Sequence, residues 1–200
     1  MSIYSLKPRF QALLRPITRT LFSAGVTANQ VTLAACIVSV GLGCAIALRP
    51  EPAFFLAIPV WMFIRMAFNA IDGMLAREFG QKSRLGAYLN ELTDVISDAC
   101  LYLPFALVPH FQPLWVGIFT VLAVVVEMTG VIGLMVGASR RYDGPFGKSD
   151  RAFVIGALAL ALGLGLPAQA WLAWVFPAMS ILCALTIIKR VRQGLQESAA

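Results

Sequence analysis

The chain has 200 residues, 59% of them hydrophobic and 13% charged, with a mean hydropathy of +0.79 and a formal net charge of +6. Soluble globular domains carry about 25% charged residues, so the composition excludes a soluble protein and predicts a single membrane domain over 1–200. The positive balance then belongs to cytoplasmic loops facing anionic lipid, and not to a nucleic-acid surface.

In chain order, residues 3–24 predict an amphipathic helix lying in the membrane interface, because Lys7, Arg9, Arg15 and Arg19 are interleaved with Ile3, Phe10, Leu13, Leu14, Leu21 and Phe22. The cluster from Thr27 to Thr32 is a helix start. Six apolar runs follow, at about 31–49, 53–76, 86–109, 113–137, 152–167 and 170–188, each near the roughly 20 residues a bilayer core requires. Pro50, Pro52, Pro109, Pro113 and Pro167 mark the junctions. The expected fold class is all-α integral membrane, with six transmembrane helices preceded by the interfacial helix. The tail from Gln193 is expected to fray. Cys36, Cys44, Cys100 and Cys183 lie in apolar stretches without metal-type spacing and read as small core residues.

Orientation follows from the basic residues. With the N-terminus inside, four of them precede the first span, three (Arg77, Lys82, Arg84) lie between the second and third, four (Arg140, Arg141, Lys148, Arg151) between the fourth and fifth, and three (Lys189, Arg190, Arg192) after the sixth. That accounts for fourteen of the sixteen cations and leaves Arg49 outside and Arg65 within a span. The expected topology is N-in, C-in.

Polar residues inside the spans are the informative exceptions, since intramembrane charge is costly to keep without a role. On a helix, Arg65, Asn69, Asp72 and Ala76 share one stripe, and Gly86, Asn90, Asp94 and Ser97 share another. The two helices are antiparallel and joined by the short basic segment 78–85, so the stripes can face each other at the cytoplasmic membrane surface. Asn69, Asp72, Asn90 and Asp94 then supply oxygen ligands for a hard divalent cation, Mg²⁺ or Mn²⁺. Gly73 and Gly86 clear space for an anionic ligand, and Arg77 offers a fork for a phosphate. Helix packing alone explains glycine and alanine there, but not two aspartates, two arginines and two spaced asparagines.

The run Asn69-x-x-Asp72-Gly73-x-x-Ala76-Arg77, eight residues, Gly86-x-x-x-Asn90-x-x-x-Asp94 resembles the signature of the CDP-alcohol phosphatidyltransferase family, in which all four acidic positions are aspartate. Every spacing is kept. The resemblance implies a dimeric membrane enzyme of phospholipid biosynthesis that displaces CMP from a CDP-linked lipid with an alcohol or alcohol-phosphate acceptor. It implies CDP contacts at Asn29, Thr32, Gly73, Arg77, Ser83 and Gly86, metal ligation at Asp72, and a general base at Asp94. It also implies acceptor binding by the loop cations Arg140, Lys148 and Arg151. Asn69 and Asn90 depart from the pattern: their amide oxygens coordinate without charge, so metal affinity should fall. Retention of Asp72, Asp94, Arg77 and both glycines favours an active variant, while a scaffold that keeps lipid or nucleotide binding without chemistry is the alternative.

Four further residues carry open readings. Arg65 could neutralise Asp72, hold a phosphate or form a structural pair. Asp98 could support Asp94 or pack between helices. Glu91, turned about 100° from Asn90, is expected at the interface. Glu127 should face the interior and find a cation, with Arg65 one candidate.

Overall fold

The computed structural model describes residues 6–165 and 169–199, so the predicted residues 3–5 and Pro167 lie outside it. Eight α-helices occur among the described residues: α1 (Leu6–Ser23), α2 (Ala28–Leu48), α3 (Pro52–Phe55), α4 (Ala57–Glu78), α5 (Arg84–Tyr102), α6 (Pro113–Met135), α7 (Lys148–Gly163) and α8 (Val175–Ser198). Short 3-10 turns at Leu103–Leu107 and Ala170–Trp174 follow α5 and precede α8.

Local sequence explains the helix starts nearest the site. Thr27 caps α2 through a reciprocal box: its Oγ1 accepts from Gln30 N at 3.3 Å, and Gln30 Oε1 accepts from Thr27 N at 2.9 Å. Ser83 caps α5 by accepting from Gly86 N at 2.9 Å. The first turn of α7 is closed by Asp150, whose Oδ2 accepts from Gly147 N at 2.8 Å.

Among the described residues, four segments are long and apolar enough to cross a membrane: Ala28–Leu48, Pro52–Glu78, Pro113–Met135 and Ala170–Ser198. The two other predicted spans fall short of that measure for visible reasons. Helix α5 carries Glu91, Asp94 and Asp98 along its length, and α7 has 16 residues and begins with Lys148, Asp150 and Arg151. Large apolar side chains such as Ile37, Leu48, Val60, Phe63, Leu114 and Val121 are exposed on the outer surface, as expected for a protein solvated by lipid.

The main core is aromatic. Phe55, Phe105, Phe111, Phe119 and Phe176 are buried, with ring centroids 5.1–5.9 Å apart between the paired rings. Helix α2 packs against both α4 and α5. A second buried cluster of Leu14, Ala28, Val31, Ile71 and Leu75 ties α1 to α2 and to α4, beside an exposed Arg15–Glu78 pair at 3.0 Å.

Two expectations need correcting. The tail does not fray at Gln193: α8 runs to Ser198 because Glu197 accepts from Ser139 N and Ser139 Oγ, both at 3.0 Å, and pairs with Arg141. Of the four cysteines, Cys183 alone is buried; Cys44 is exposed on the apolar outer face, and Cys36 and Cys100 are half-buried.

Candidate functional site

The start of α2, the last turns of α4, the 79–83 connection and the start of α5 enclose a cleft of about 610 Å³. Asn29, Thr32, Asp72, Gly73, Arg77, Ser83, Gly86 and Asn90, all singled out in the sequence, line it together with Gln81, Lys82, Arg84 and Glu91. The geometry accounts for the glycines. A Cβ on Gly86 would sit 2.9 Å from both Asn29 Oδ1 and Ser83 Oγ, and one on Gly73 would sit 2.6 Å from Arg77 Nη2. The Asn29 and Arg77 side chains thus occupy space that a side chain at Gly86 or Gly73 would contest.

Asp72 is 7% exposed, and its Oδ2 accepts from the Thr32 hydroxyl at 2.8 Å. No ion pair reaches Asp72, Arg77, Lys82 or Arg84 among the described residues. One end of the site thus combines three uncompensated cations with one buried, uncompensated carboxylate. Such an arrangement suits a polyanion that arrives with a divalent cation.

The rest of the constellation is heavily paired. Arg65 Nη2 donates to Asp94 Oδ1 at 2.9 Å, and Nη1 donates to Asp98 Oδ1 at 2.5 Å. The two predicted stripes do meet, but through Arg65, and not through Asn69 and Asn90. Lys148 pairs with the other oxygen of Asp94. Asn69 and Asp94 do not line the cleft, and the Asn90 amide lies 3.5 Å from Glu91 Oε1. Among the described residues no three histidine, cysteine or acidic side chains cluster as a metal site. Two of the four expected ligands are amides, and Asp94 is turned onto two cations.

Glu127 is the second centre. Its Oε1 lies 2.8 Å from Arg151 Nη2 and 3.6 Å from Arg190 Nη1, and its Oε2 lies 3.9 Å from Arg140 Nη2. Arg65 is not its partner. Arg151 is completely buried, donating to Glu127 Oε1 and to the Phe146 carbonyl. Glu91 is not merely interfacial: it pairs with Arg140 and lines both the cleft and an adjoining apolar groove of about 650 Å³ between α5 and α6. Arg141 pairs with Asp143 at 2.7 Å and with Glu197. Arg190 also donates to the carbonyls of Val126 at 2.5 Å and Asp143 at 3.1 Å.

Comparison with known proteins bears on this arrangement. The model of the CDP-alcohol phosphatidyltransferase family matches residues 25–188. The chain is 44% identical over 199 residues to the inner membrane protein YnbA of Escherichia coli, covering 100% of this chain and 99% of that one. It is 32% identical over 106 residues to the archaetidylinositol phosphate synthase of Pyrococcus horikoshii, covering 51% of this chain and 52% of the synthase. The fold is that of the phosphatidylinositol phosphate synthase of Mycobacterium tuberculosis. Its structure with CDP-DAG bound superposes with a TM-score of 0.74 at 21% identity, over 90% of this chain and 92% of that one. Its complex with manganese and citrate superposes with a TM-score of 0.73 at 22% identity, over 90% and 88%.

Proposed function

The chain belongs to the CDP-alcohol phosphatidyltransferase family, and from that membership we propose that it transfers a phosphatidyl or other substituted phosphate group from a CDP-linked lipid, such as CDP-diacylglycerol, to an alcohol or alcohol-phosphate acceptor. CMP is released. The observation that carries this reading is the cleft's charge layout, with Arg77, Lys82 and Arg84 unpaired beside the buried carboxylate of Asp72 among the described residues.

Asn29, Thr32, Gly73, Arg77, Ser83 and Gly86 hold the CDP moiety, with the glycines admitting it close to the backbone. The buried, unpaired Asp72 fits a hard cation, Mg²⁺ or Mn²⁺, with Asn69 and Asn90 offering amide oxygens and Asp94 a second carboxylate. Bound there, the ion neutralises negative charge on the diphosphate. Asp94 accepts the proton of the attacking hydroxyl as its oxygen bonds to the β-phosphorus and the bond to CMP breaks. Arg65 and Lys148 fix the Asp94 carboxylate in position. Arg140 and Lys148 border the acceptor, and Arg151 supports them from behind through Glu127.

The reading includes a placement. Helices α5 and α7 complete six spans, their charges turned to neighbouring helices. Helix α1 lies in the interface, with Leu13, Ile17 and Phe22 exposed to lipid. The cleft opens to the cytoplasm from a bacterial inner membrane, both termini are inside, and the protein works as a homodimer. Labelled CDP-diacylglycerol in nanodiscs with Mg²⁺ or Mn²⁺ tests the chemistry: an acceptor panel should give metal-dependent CMP release that Asp94→Asn abolishes. Bound nucleotide without CMP release from any acceptor would sink it.

A further inference from the structure

Given the donor site proposed above, on which this rests, we infer that Gln81 is a positioning residue for the donor's nucleotide, joining two walls of the cleft before the nucleotide arrives. Gln81 Oε1 accepts from Ala28 N at 2.7 Å, and Gln81 Nε2 donates to the Val26 carbonyl at 3.4 Å. One amide thus satisfies a donor and an acceptor of the turn that leads into α2, 53 and 55 residues away in the chain. Ala28 is 6% exposed, and its N–H belongs to the first turn of α2, whose donors have no partner within the helix. The cap residue Thr27 serves Gln30 N instead. Gln81 therefore supplies, from the 79–83 connection, an acceptor that α2 lacks. On its other side, Gln81 N donates to the Leu75 carbonyl at 3.3 Å, near the end of α4.

The attachments hold opposite walls of the site. Asn29 and Thr32 follow Ala28 on α2, and Lys82 and Ser83 follow Gln81. The walls converge at Gly86, where an added Cβ would lie 2.9 Å from both Asn29 Oδ1 and Ser83 Oγ. Their separation decides whether one ligand meets Asn29, Ser83 and the unpaired cations at the same time. Phe79 is anchored on Phe22 of α1, their ring centroids 4.7 Å apart. The chain then turns at Gly80, with φ +71° and nothing within 4 Å of an added Cβ. From there to Ser83, hydrogen bonds to the start of α2 come from Gln81 alone among the described residues. Gln81 lines the cleft as well, but both polar atoms of its amide are engaged by residues 26–28, which makes it a support for the wall. A cradle set in this way before binding spares the ligand the cost of ordering it.

Gln81→Met keeps the length of the side chain and removes the amide. Full-length wild type and variant in nanodiscs are titrated with CDP in the presence of Mn²⁺, and amide exchange is followed with and without CDP. The variant should bind CDP about tenfold more weakly, the factor that corresponds to a buried N–H left without its partner. With CDP-diacylglycerol as donor, KM should rise by a similar factor while kcat changes little. Exchange over 25–29 and 79–84 should rise together in the free variant, and saturating CDP should close the difference. Unchanged CDP affinity, or a loss confined to kcat, overturns the inference. Weaker binding without faster exchange over 25–29 also overturns it, since Gln81 would then meet the nucleotide itself. Faster exchange throughout the chain does the same, as the mark of general destabilisation. Failure of the wild type to bind CDP overturns the donor site and this inference with it.

Discussion

The guanidinium of Arg65 on α4 lies 2.9 Å from Asp94 Oδ1 and 3.1 Å from the Asp94 main-chain oxygen on α5. Nη2 holds both side chain and backbone of Asp94 while Nη1 holds Asp98, which fixes the orientation of the Asp94 carboxylate as well as its position. In the proposed reaction, with Asp94 as the base that meets a hydroxyl beside the donor diphosphate, that orientation governs rate more than binding.

Arg65→Lys keeps the charge but replaces the fork with a single point donor. CMP release should fall by about tenfold or more, since small misplacements of a reacting group are expensive, while CDP-diacylglycerol binding stays near wild type. Arg65→Ala leaves Asp98 without a cation and Asp94 with Lys148 alone, and should cost about 3 kcal/mol of stability. Turnover, lipid binding and thermal melting in detergent separate the two outcomes. Equal loss of binding and turnover in Arg65→Lys would argue against the positioning role.

Asn69→Asp and Asn90→Asp would each place a negative charge where the family has one. Together they should lower the Mn²⁺ concentration giving half-maximal CMP release by about tenfold, because affinity for a hard cation rises with ligand charge. Metal titration of the double variant checks this. An unchanged midpoint would mean that these positions lie outside the ion's reach.

Thr32→Val removes the 2.8 Å hydrogen bond to Asp72 Oδ2 at nearly constant volume. The buried carboxylate then lacks its side-chain donor, which should cost about 1–3 kcal/mol. That cost should appear as lower thermal stability in the absence of metal, and added Mn²⁺ should recover part of it. Melting curves with and without Mn²⁺ give the comparison.

Glu197→Gln weakens the tether between the end of α8 and the Ser139–Arg141 segment. Amide exchange over residues 138–147 should rise, with little change in α2 or α5. Uniform exchange across the chain would show that the tether is dispensable.

Much of the site was legible from spacing. Asp72, Gly86 and Asn90 stand on helix faces that periodicity locates, Gly73 and Arg77 were read from their residue types in the same run, and all five line one cleft. Pairing between helices was not legible. Arg65 could meet Asp72, Asp94, Asp98 or Glu127 depending on how α4, α5 and α6 are rotated about their axes, and a single helix's period carries no information on that rotation. Glu127 shows the same limit: its partners Arg151 and Arg190 come from α7 and α8. The extension of α8 to Ser198 was missed because Gln193–Ser198 is polar and reads as a tail; its helix is held by Glu197 reaching a loop 58 residues away in sequence.

The meeting of Arg151 with Glu127 bears on how this protein is made. Helix α7, 16 residues long, is about 24 Å in length against a hydrocarbon core of about 30 Å, and it carries a fully buried arginine. On its own it is a poor candidate for partition into lipid. Its counter-ion lies 24 residues earlier in the chain, so Glu127 is synthesised before Arg151. In the six-span placement proposed above, Arg151 on α7 and then Arg190 on α8 reach a carboxylate made before either of them.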